Sequence, residues 1–370
     1  MKKVFISIVV LLISITTFGQ TDSPDLSKMK TIRANSDMVD IRDGDAFYKG
    51  TWRIEPAEKP DIFSAQGKRV TFITDLDSIT FDIEPNKTYD FVILYGKDSA
   101  WTQIKSIPSY LETLQQAGGY KKSDTVEGLP NFQYETPENG RMKDVKKYFK
   151  LDSIAGTGDE ISKILNIMYW VHNNITHDGS NYALAEFSSI DLYHYHKATG
   201  KGINCRHLAI ALNEMYLSMG WKSRYVTCLP KSDYDQDSDC HVINSVWVES
   251  LQKWIWIDPT FAAYVKDENG NFLSISEVRE RLIDGRPVVL NEDANWNNKS
   301  KQTKEGYLMK YMAKNLYWLQ AAVHNQFNPE SRYRNNMNSY VSLLPIGYTR
   351  SYMESLGTIT HDPEYFWQKP

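Results

Sequence analysis

Hydrophobic and polar residues alternate along the first third of the chain. In the segments KRVTFITDL, SITFDIE and TYDFVILYG, between residues 68 and 96, apolar side chains recur at every second position. A period of two places successive side chains on opposite faces of a strand, and turn residues such as those of Glu84-Pro85-Asn86 separate the runs. The pattern predicts a small antiparallel β-sandwich domain over residues 45–107.

Helical spacing replaces this alternation after residue 140. The intervening segment, 108–140, is rich in Gly, Pro, Ser and Gln and indicates a linker. One apolar stripe then has helical spacing and predicts an amphipathic helix: Ile161, Ile164, Leu165, Met168 and Val171. A second, mostly buried helix is predicted from Cys205 to Met219, because Asn204 is a good N-cap and Gly220 a good C-terminal stop.

Three strand-like runs follow that helix: SRYVTCLP, HVINSVWVE and KWIWIDPTF. Further helices are predicted over 275–283 and, with many aromatic residues, over 303–324. Helices and strands in this order indicate an α+β domain over 141–290, with a helical, aromatic C-terminal extension over 291–370 packed on it.

The first residues have a different pattern. Lys2 and Lys3 precede an apolar run over 4–15, and Thr17-Phe18-Gly19 places small residues where a signal peptidase reads. The run is too short to span a bilayer. We therefore expect residues 1–19 to be a cleavable signal peptide, the protein to be periplasmic or secreted without an integral membrane segment, and 20–44 to be a flexible lead-in.

Charge and composition narrow the range of partners. Removing Lys2 and Lys3 with the signal peptide lowers the basic residues from 42 to 40 against 46 acidic ones, a net charge of −6. With no basic block, nucleic acid is a poor partner. The 23 Tyr and 10 Trp can line a peptide or carbohydrate cleft, or they can build a core.

Three cysteines are an odd number for an exported protein, so pairing leaves at least one free thiol. Cys205 opens a predicted helix, where exposed N–H groups and the helix dipole stabilise a thiolate. A buried structural thiol is the alternative. Cys228 and Cys240 could form a disulfide that closes the polar loop between them. A zinc site is a further alternative, with Cys205, His207, Cys240 and His241 as ligands. The spacing of these four residues matches no common zinc-binding pattern.

A histidine and an aspartate follow Cys205 on predicted strands. His241 lies 36 residues after Cys205, and Asp258 lies 17 residues after His241. An imidazole can take the proton of the thiol, and a carboxylate on the far ring nitrogen fixes its tautomer. If the two strands form a hairpin, an even-residue loop, or an odd loop with a bulge, places His241 and Asp258 on one face, and an even loop leaves them directly paired or in diagonal contact.

These residues carry a family resemblance. The segment GINCRHLAIALNEMYLSMGWKSRYVTC, followed by DCHVINSVWVE and KWIWIDPTF, resembles the core of the transglutaminase-like superfamily, whose fold is related to papain-like cysteine proteases. The similarity covers about residues 160–265. It implies that Cys205 is the nucleophile, His241 the base and Asp258 the orienting acid, with no cofactor. Ile203-Asn204 departs from the Gly-Asp or Gly-Tyr that often precedes the family's cysteine.

The resemblance also implies the reaction. A thiolate attacks an amide or peptide carbonyl and forms a thioester acyl-enzyme, which water or an amine then resolves. Because no lysine-donor site is visible, we favour hydrolysis of a peptide or protein substrate, with cell-wall or glycan-linked peptide among the options. The alternatives are protein-glutamine acyl transfer, which crosslinks proteins, and an inactive peptide- or glycan-binding module.

Other polar residues near these motifs have simpler interpretations. His172 and His177 flank the end of a helix and are expected to be surface or capping groups. His207 is expected to be a packing or pocket residue. Arg206 is expected to be solvated, with binding of a substrate carboxylate as the alternative. The acidic loop 233–239 is expected to form a solvated, mobile rim of the site, with calcium binding as the alternative.

Overall fold

The structure is a computed structural model that describes residues 26–121, 128–231, 239–331, 339–349 and 357–370. The predicted signal peptide lies outside these residues, as does most of the acidic loop. The chain divides into two compact units, Met1–Ile107 and Pro108–Pro370. Within the described ranges, no helix has the length and apolar character needed to cross a membrane.

The N-terminal unit consists of strands after one short 3₁₀ helix, Leu26–Lys28. Its strands are β1 Lys30–Ala34, β2 Met38–Asp43, β3 Ala46–Arg53, β4 Asp61–Ala65, β5 Arg69–Ile73, β6 Ser78–Asp82, β7 Thr88–Tyr95 and β8 Asp98–Ser106. They form two four-stranded sheets, ordered β1-β7-β8-β4 and β3-β2-β5-β6. Neighbouring strands are antiparallel except in the β1–β7 and β4–β8 pairs.

The two sheets enclose one apolar core. Val70 and Phe72 of β5 are fully buried on one face of the strand, as the alternation predicts. The Phe72 ring meets Phe91 of the other sheet with centroids 4.9 Å apart. The prediction of an N-terminal region of mostly antiparallel strands is confirmed.

Residues 30–43 differ from the flexible lead-in that we predicted over 20–44. They form β1 and β2, and Val39 and Ile41 are fully buried in the core of the unit. Each strand has only two buried apolar positions, separated by charged residues, so its pattern is too short to stand out. Pairing with β7 and β5 stabilises these strands, and that pairing is long-range.

The second unit begins with helices around one central helix. Its elements up to residue 229 are α1 Tyr110–Gln115, β9 Gln133–Tyr134, α2 Gly140–Phe149, α3 Leu151–Ala155, α4 Glu160–Asn174, α5 Ser189–Thr199, α6 Cys205–Ser218 and β10 Ser223–Leu229. Every residue of α6 from His207 to Ser218 is buried. The predicted linker therefore contains regular structure, because a capping box of Ser109 and Glu112 starts α1, whose Leu114 is fully buried.

The remaining elements complete a sheet. They are β11 His241–Val248, β12 Lys253–Ile257, β13 Val265–Lys266, α7 Ile275–Ile283, β14 Val289–Leu290, β15 Asn295–Trp296, β16 Ser300–Lys301, a π-helix Lys304–Met312, α8 Ala313–Asn315, β17 Trp318–Ala322, β18 His324–Asn325, β19 Tyr340–Leu343, β20 Thr358–Thr360 and α9 Pro363–Phe366. Six strands are ordered β12-β11-β10-β17-β19-β20. Apolar clusters cover both faces of this sheet, and the predicted α+β class is confirmed.

The C-terminal third departs from the predicted helical extension. The helix predicted over 303–324 ends at Asn315, and Trp318–Ala322 is an inner strand that pairs with both β10 and β19. Such a strand is buried on both faces, so its sequence is a short apolar run without alternation. Periodicity alone cannot separate such a run from the continuation of a buried helix.

Candidate active site

Cys205 is the first residue of α6, as the sequence predicts. The Asn204 side chain caps the helix by accepting a hydrogen bond from the His207 N–H at 3.0 Å. Cys205 is partly exposed, whereas the helix that follows is buried. The thiol is therefore held at the positive end of a helix dipole and remains open to solvent.

His241 and Asp258 meet at the start of β11 and just after β12. His241 Nε2 donates to Asp258 Oδ2 at 2.7 Å, and both side chains are buried. Val248 pairs with Lys253, so a four-residue turn joins the strands, and Asn244 pairs with Ile257. With this even turn and this register, the His241–Asp258 contact is diagonal. Diagonal contact is one of the two arrangements that place both side chains on the same face of the sheet.

Asp258 is held by four donors. Its Oδ1 accepts from the N–H groups of Thr260 at 2.8 Å and Phe261 at 3.3 Å, and its Oδ2 accepts from His241 and from the Tyr307 hydroxyl at 2.5 Å. Burial raises the pKa of this carboxyl. The charge and hydrogen bond of His241, together with the other donors, outweigh burial and hold the pKa below its usual range.

The thiol and the imidazole have pKa values shifted in opposite directions. Burial disfavours the His241 cation, but the negative charge of Asp258, their hydrogen bond and Cys205 raise the pKa of His241 to about 10. Burial also opposes the thiolate, but hydrogen bonds from His177 and His241, the His241 charge and the Val242 N–H lower the pKa of Cys205 to about 6. A thiolate–imidazolium pair is therefore the favoured state at neutral pH.

Aromatic side chains surround this pair, and two of them come from the π-helix. Tyr307 donates to Asp258, and Tyr311, four residues later, lies with its ring centroid 5.2 Å from that of His241. The ring of Phe261 covers the imidazole at 5.5 Å. No sequence motif marks these residues, although two tyrosines spaced by four in a helical pattern indicate a shared face.

His172 and His177 are not the surface or capping groups that we predicted. His172 is buried, with Nδ1 3.0 Å from the Pro259 carbonyl oxygen and Nε2 3.0 Å from Asn295 Oδ1. His177 accepts a hydrogen bond on Nδ1 from Trp296 Nε1 at 2.9 Å, and a hydrogen bond from its ring lowers the pKa of Cys205. Pro259 lies 87 residues after His172, and Asn295 and Trp296 lie 123 and 119 residues after His172 and His177, so no local pattern indicates these partners.

Arg206 is paired with a carboxylate instead of being solvated. Its Nε and NH2 groups donate to the two Glu330 oxygens at 2.8 and 2.6 Å, and NH1 donates to Thr227 at 3.0 Å. The hydroxyl of Tyr340 also donates to Glu330, at 2.7 Å. The guanidinium is therefore occupied by the protein itself, which argues against its binding a substrate carboxylate.

His207 and the cysteines are the other candidate site residues. His207 is buried against the ring of Phe187, with centroids 4.5 Å apart, as expected for a packing residue. Cys205, Cys228 and Cys240 are free thiols in the described structure. Among the described residues, no group of three or more His, Cys, Asp or Glu side chains is arranged to hold a metal ion.

The fold and this site define an α+β domain that brings a cysteine, a histidine and an aspartate together. Residues 148–259 match the family model of the transglutaminase-like superfamily, so the chain contains a transglutaminase-like domain, and the resemblance noted in the sequence is confirmed. The matched range includes Cys205, His241 and Asp258.

Two solved structures are similar to the chain. A proposed cysteine protease from Cytophaga hutchinsonii has 15% sequence identity and a TM-score of 0.25, with 56% of this chain and 73% of that chain covered. Red sea bream transglutaminase has 11% identity and a TM-score of 0.26, with 60% of this chain covered. The chain spans about half of that transglutaminase, 52% of its length. No curated protein sequence matches the chain significantly.

Proposed function

We propose that this protein is a cysteine hydrolase of amide or peptide bonds, in which Cys205 is the nucleophile, His241 the base and Asp258 the orienting acid. The observation that carries the proposal is the buried 2.7 Å hydrogen bond between His241 and Asp258, together with a thiol at a helix N-terminus whose pKa the same imidazole lowers. This geometry supplies an activated thiolate, a proton acceptor and a carboxylate that fixes the ring.

The reaction has two steps. His241 takes the thiol proton on Nδ1, since Nε2 is bound to Asp258, and the thiolate attacks the substrate carbonyl carbon. The amine leaves with the proton from His241, and a thioester to Cys205 remains. His241 then takes a proton from water, the hydroxide attacks the thioester, and the carboxylic acid product leaves as the thiolate is restored. The Cys205 N–H at the helix terminus is a natural donor to the carbonyl oxygen in both steps.

Water is the proposed acceptor because hydrolysis needs no second binding site. An amine acceptor would give protein crosslinking and requires a site for the incoming lysine. The two outcomes give different products from one peptide substrate. Mass spectrometry separates them, because hydrolysis produces a free carboxylate whereas transfer joins the acyl group to an added amine.

The proposed site of action is the periplasm or the cell exterior. The support is the composition of residues 1–19, with two lysines before an apolar run and small residues at its end. If the leader is cleaved, the N-terminal residue of protein purified from the native cell envelope is Gln20. An N-terminus at Met1 in that fraction would contradict export by cleavage.

Thiol reactivity tests the nucleophile directly. At pH 7 we expect iodoacetamide to modify Cys205 far faster than an unfolded peptide thiol, and to add one group per chain. Cys240 is a matched control within the chain. It is also partly exposed, but burial and the nearby Cys205 charge raise its pKa to about 11, so it should remain unmodified.

Activity then tests the reaction. Against a library of peptides and amides, the Cys205→Ala variant should lose hydrolysis while Cys240→Ser retains it. The enzyme interpretation fails if Cys205 alkylates no faster than an unfolded thiol and Cys205→Ala is as active as the wild type. That result would favour the alternative of an inactive binding module, and the next measurement would be binding of peptides or glycans without turnover.

A further inference from the structure

The proposed mechanism uses one imidazole, but hydrogen bonds from two imidazoles lower the pKa of Cys205. His241 is the first residue of β11, and His177 lies between α4 and α5, where it pairs with Ile203, two residues before Cys205. We infer that His177 is a second catalytic residue with a fixed role: it donates its Nε2–H to the Cys205 sulfur and does not take the thiol proton. This inference rests on the proposed function and assigns one further residue to the same reaction.

The backbone of His177 is held from both sides. Its N–H donates to Asn297 Oδ1 at 2.8 Å, and its carbonyl accepts from Asn297 Nδ2 at 2.9 Å. On the other side it forms a β-bridge with Ile203, two residues before Cys205, and the Ile203 carbonyl accepts from the Asp178 N–H at 2.9 Å. These bonds tie the position of the ring to the start of α6.

Trp296 determines which nitrogen of the ring carries the proton. An indole N–H can only donate, and Trp296 Nε1 lies 2.9 Å from His177 Nδ1. Nδ1 must therefore accept, and the hydrogen of the neutral ring is placed on Nε2. The nitrogen that remains for Cys205 is thus a donor. A proton acceptor cannot occupy that position while the indole bond is intact.

The two imidazoles have opposite roles, because different residues bind the ring nitrogen that faces away from Cys205. Asp258 accepts from His241 and favours its cation, which leaves Nδ1 to collect the thiol proton. Trp296 donates to His177 and leaves a neutral N–H directed at the sulfur. A hydrogen bond to the thiolate increases its population at a given pH. It also stabilises the sulfur as the leaving group, when water attacks the thioester carbon and the C–S bond electrons return to Cys205.

The pH dependence of alkylation measures this donor without requiring turnover. In the wild type the rate should rise through an inflection near pH 6. His177→Leu removes the donor, and the inflection should move up by roughly one pH unit, which makes alkylation about tenfold slower at pH 5, since a hydrogen bond to a charged group contributes on this scale. Cys240 and Tyr311 also face Cys205, but burial raises both of their pKa values, so neither titrates in this range.

Two further variants separate a donor from a structural residue. His177→Gln places an amide N–H near the position of Nε2 and should restore much of the low inflection. Trp296→Phe keeps the His177 ring but releases its tautomer, so an intermediate inflection is expected. His194→Leu, on an exposed histidine of α5, is the matched control and should behave as the wild type.

The outcomes distinguish this inference from the proposed function. A wild-type inflection near 8.5, the usual value for a thiol, would contradict the activated nucleophile itself. A wild-type inflection near 6 that stays there in both His177→Leu and Trp296→Phe would overturn the role of His177 and leave the proposed function standing. If His177→Leu does not fold, as judged by circular dichroism, His177→Gln and Trp296→Phe decide the result in the same way.

Discussion

The hydroxyl of Tyr307 gives the sharpest test of how Asp258 is held. Tyr307→Phe removes one donor to Oδ2 and leaves His241 on that oxygen and the Thr260 and Phe261 N–H groups on the other. A hydrogen bond to a charged group contributes about 1.5–3 kcal/mol. Because three donors remain, we expect the lower end, a loss of ~1.5 kcal/mol in the free energy of unfolding, measured by urea denaturation at pH 7.

The pKa of Asp258 determines how the stability lost in Tyr307→Phe depends on pH. The folded protein holds the pKa of this carboxyl below its ordinary 3.8, and Tyr307 is one of the causes. Stability from a lowered carboxyl pKa is fully present above the unfolded value and is lost as the pH falls through the folded value. The difference between wild type and Tyr307→Phe should therefore be constant near neutral pH and shrink below about pH 4.

Activity should fall as well, because a carboxylate with fewer donors orients His241 less firmly. A loss of ~1.4 kcal/mol corresponds to a tenfold change in rate, so kcat/KM should decrease by up to about tenfold while alkylation at pH 7 persists. Tyr216→Phe is the matched control, since it removes an equally buried hydroxyl whose partner is the neutral Ile164 carbonyl at 2.9 Å. If Tyr307→Phe matches Tyr216→Phe in stability, pH dependence and activity, Tyr307 does not hold Asp258.

Three more results are expected. The pH profile of kcat/KM should be bell-shaped, rising near 6 as Cys205 ionises and falling near 10 as His241 loses its proton; a single rising limb near 8.5 would exclude the ion pair. Arg206→Met leaves the Glu330 carboxylate, whose side chain is 13% exposed, without its ion-pair partner, and should lower the free energy of unfolding by about 3 kcal/mol in urea denaturation. Adding Glu330→Gln should recover part of this loss. Equal losses in the single and the double variant would refute the pairing. Phe366→Ala, which truncates a fully buried ring, should cost about 3–4 kcal/mol in the same assay, and a loss below 1 kcal/mol would show that the C-terminal helix does not pack on the sheet.

Local patterns in the sequence indicate the elements that carry the three residues of the candidate site. An N-cap before Cys205, a helix stop after Met219 and two short strand-like runs are all short-range signals, and the even turn between β11 and β12 brings His241 to Asp258. The domain match over 148–259 covers the same stretch. Each of these features depends on neighbours within one element or one hairpin, which is why sequence patterns reveal them.

The residues that orient those side chains could not be predicted in this way. Tyr307 reaches Asp258 across 49 residues, and Trp296 reaches His177 across 119. Their positions depend on a π-helix and on the short strand β15. Neither element has a sequence pattern that distinguishes it from an α-helix or a loop. The error over β17 has the same origin, because a strand buried on both faces loses the alternation that identifies strands.

The candidate site extends beyond the range that matches the family model. The matched range ends at residue 259, yet Tyr307, Trp296 and the strand that pairs with the outer side of β10 all follow it. β10 carries Cys228, which pairs with His241 on its other neighbour, β11. Removing β17 would therefore expose an edge of β10 beside the strand that holds His241. The segment after 259 is thus part of the proposed site, since it fixes the tautomer of one imidazole and the carboxylate that orients the other.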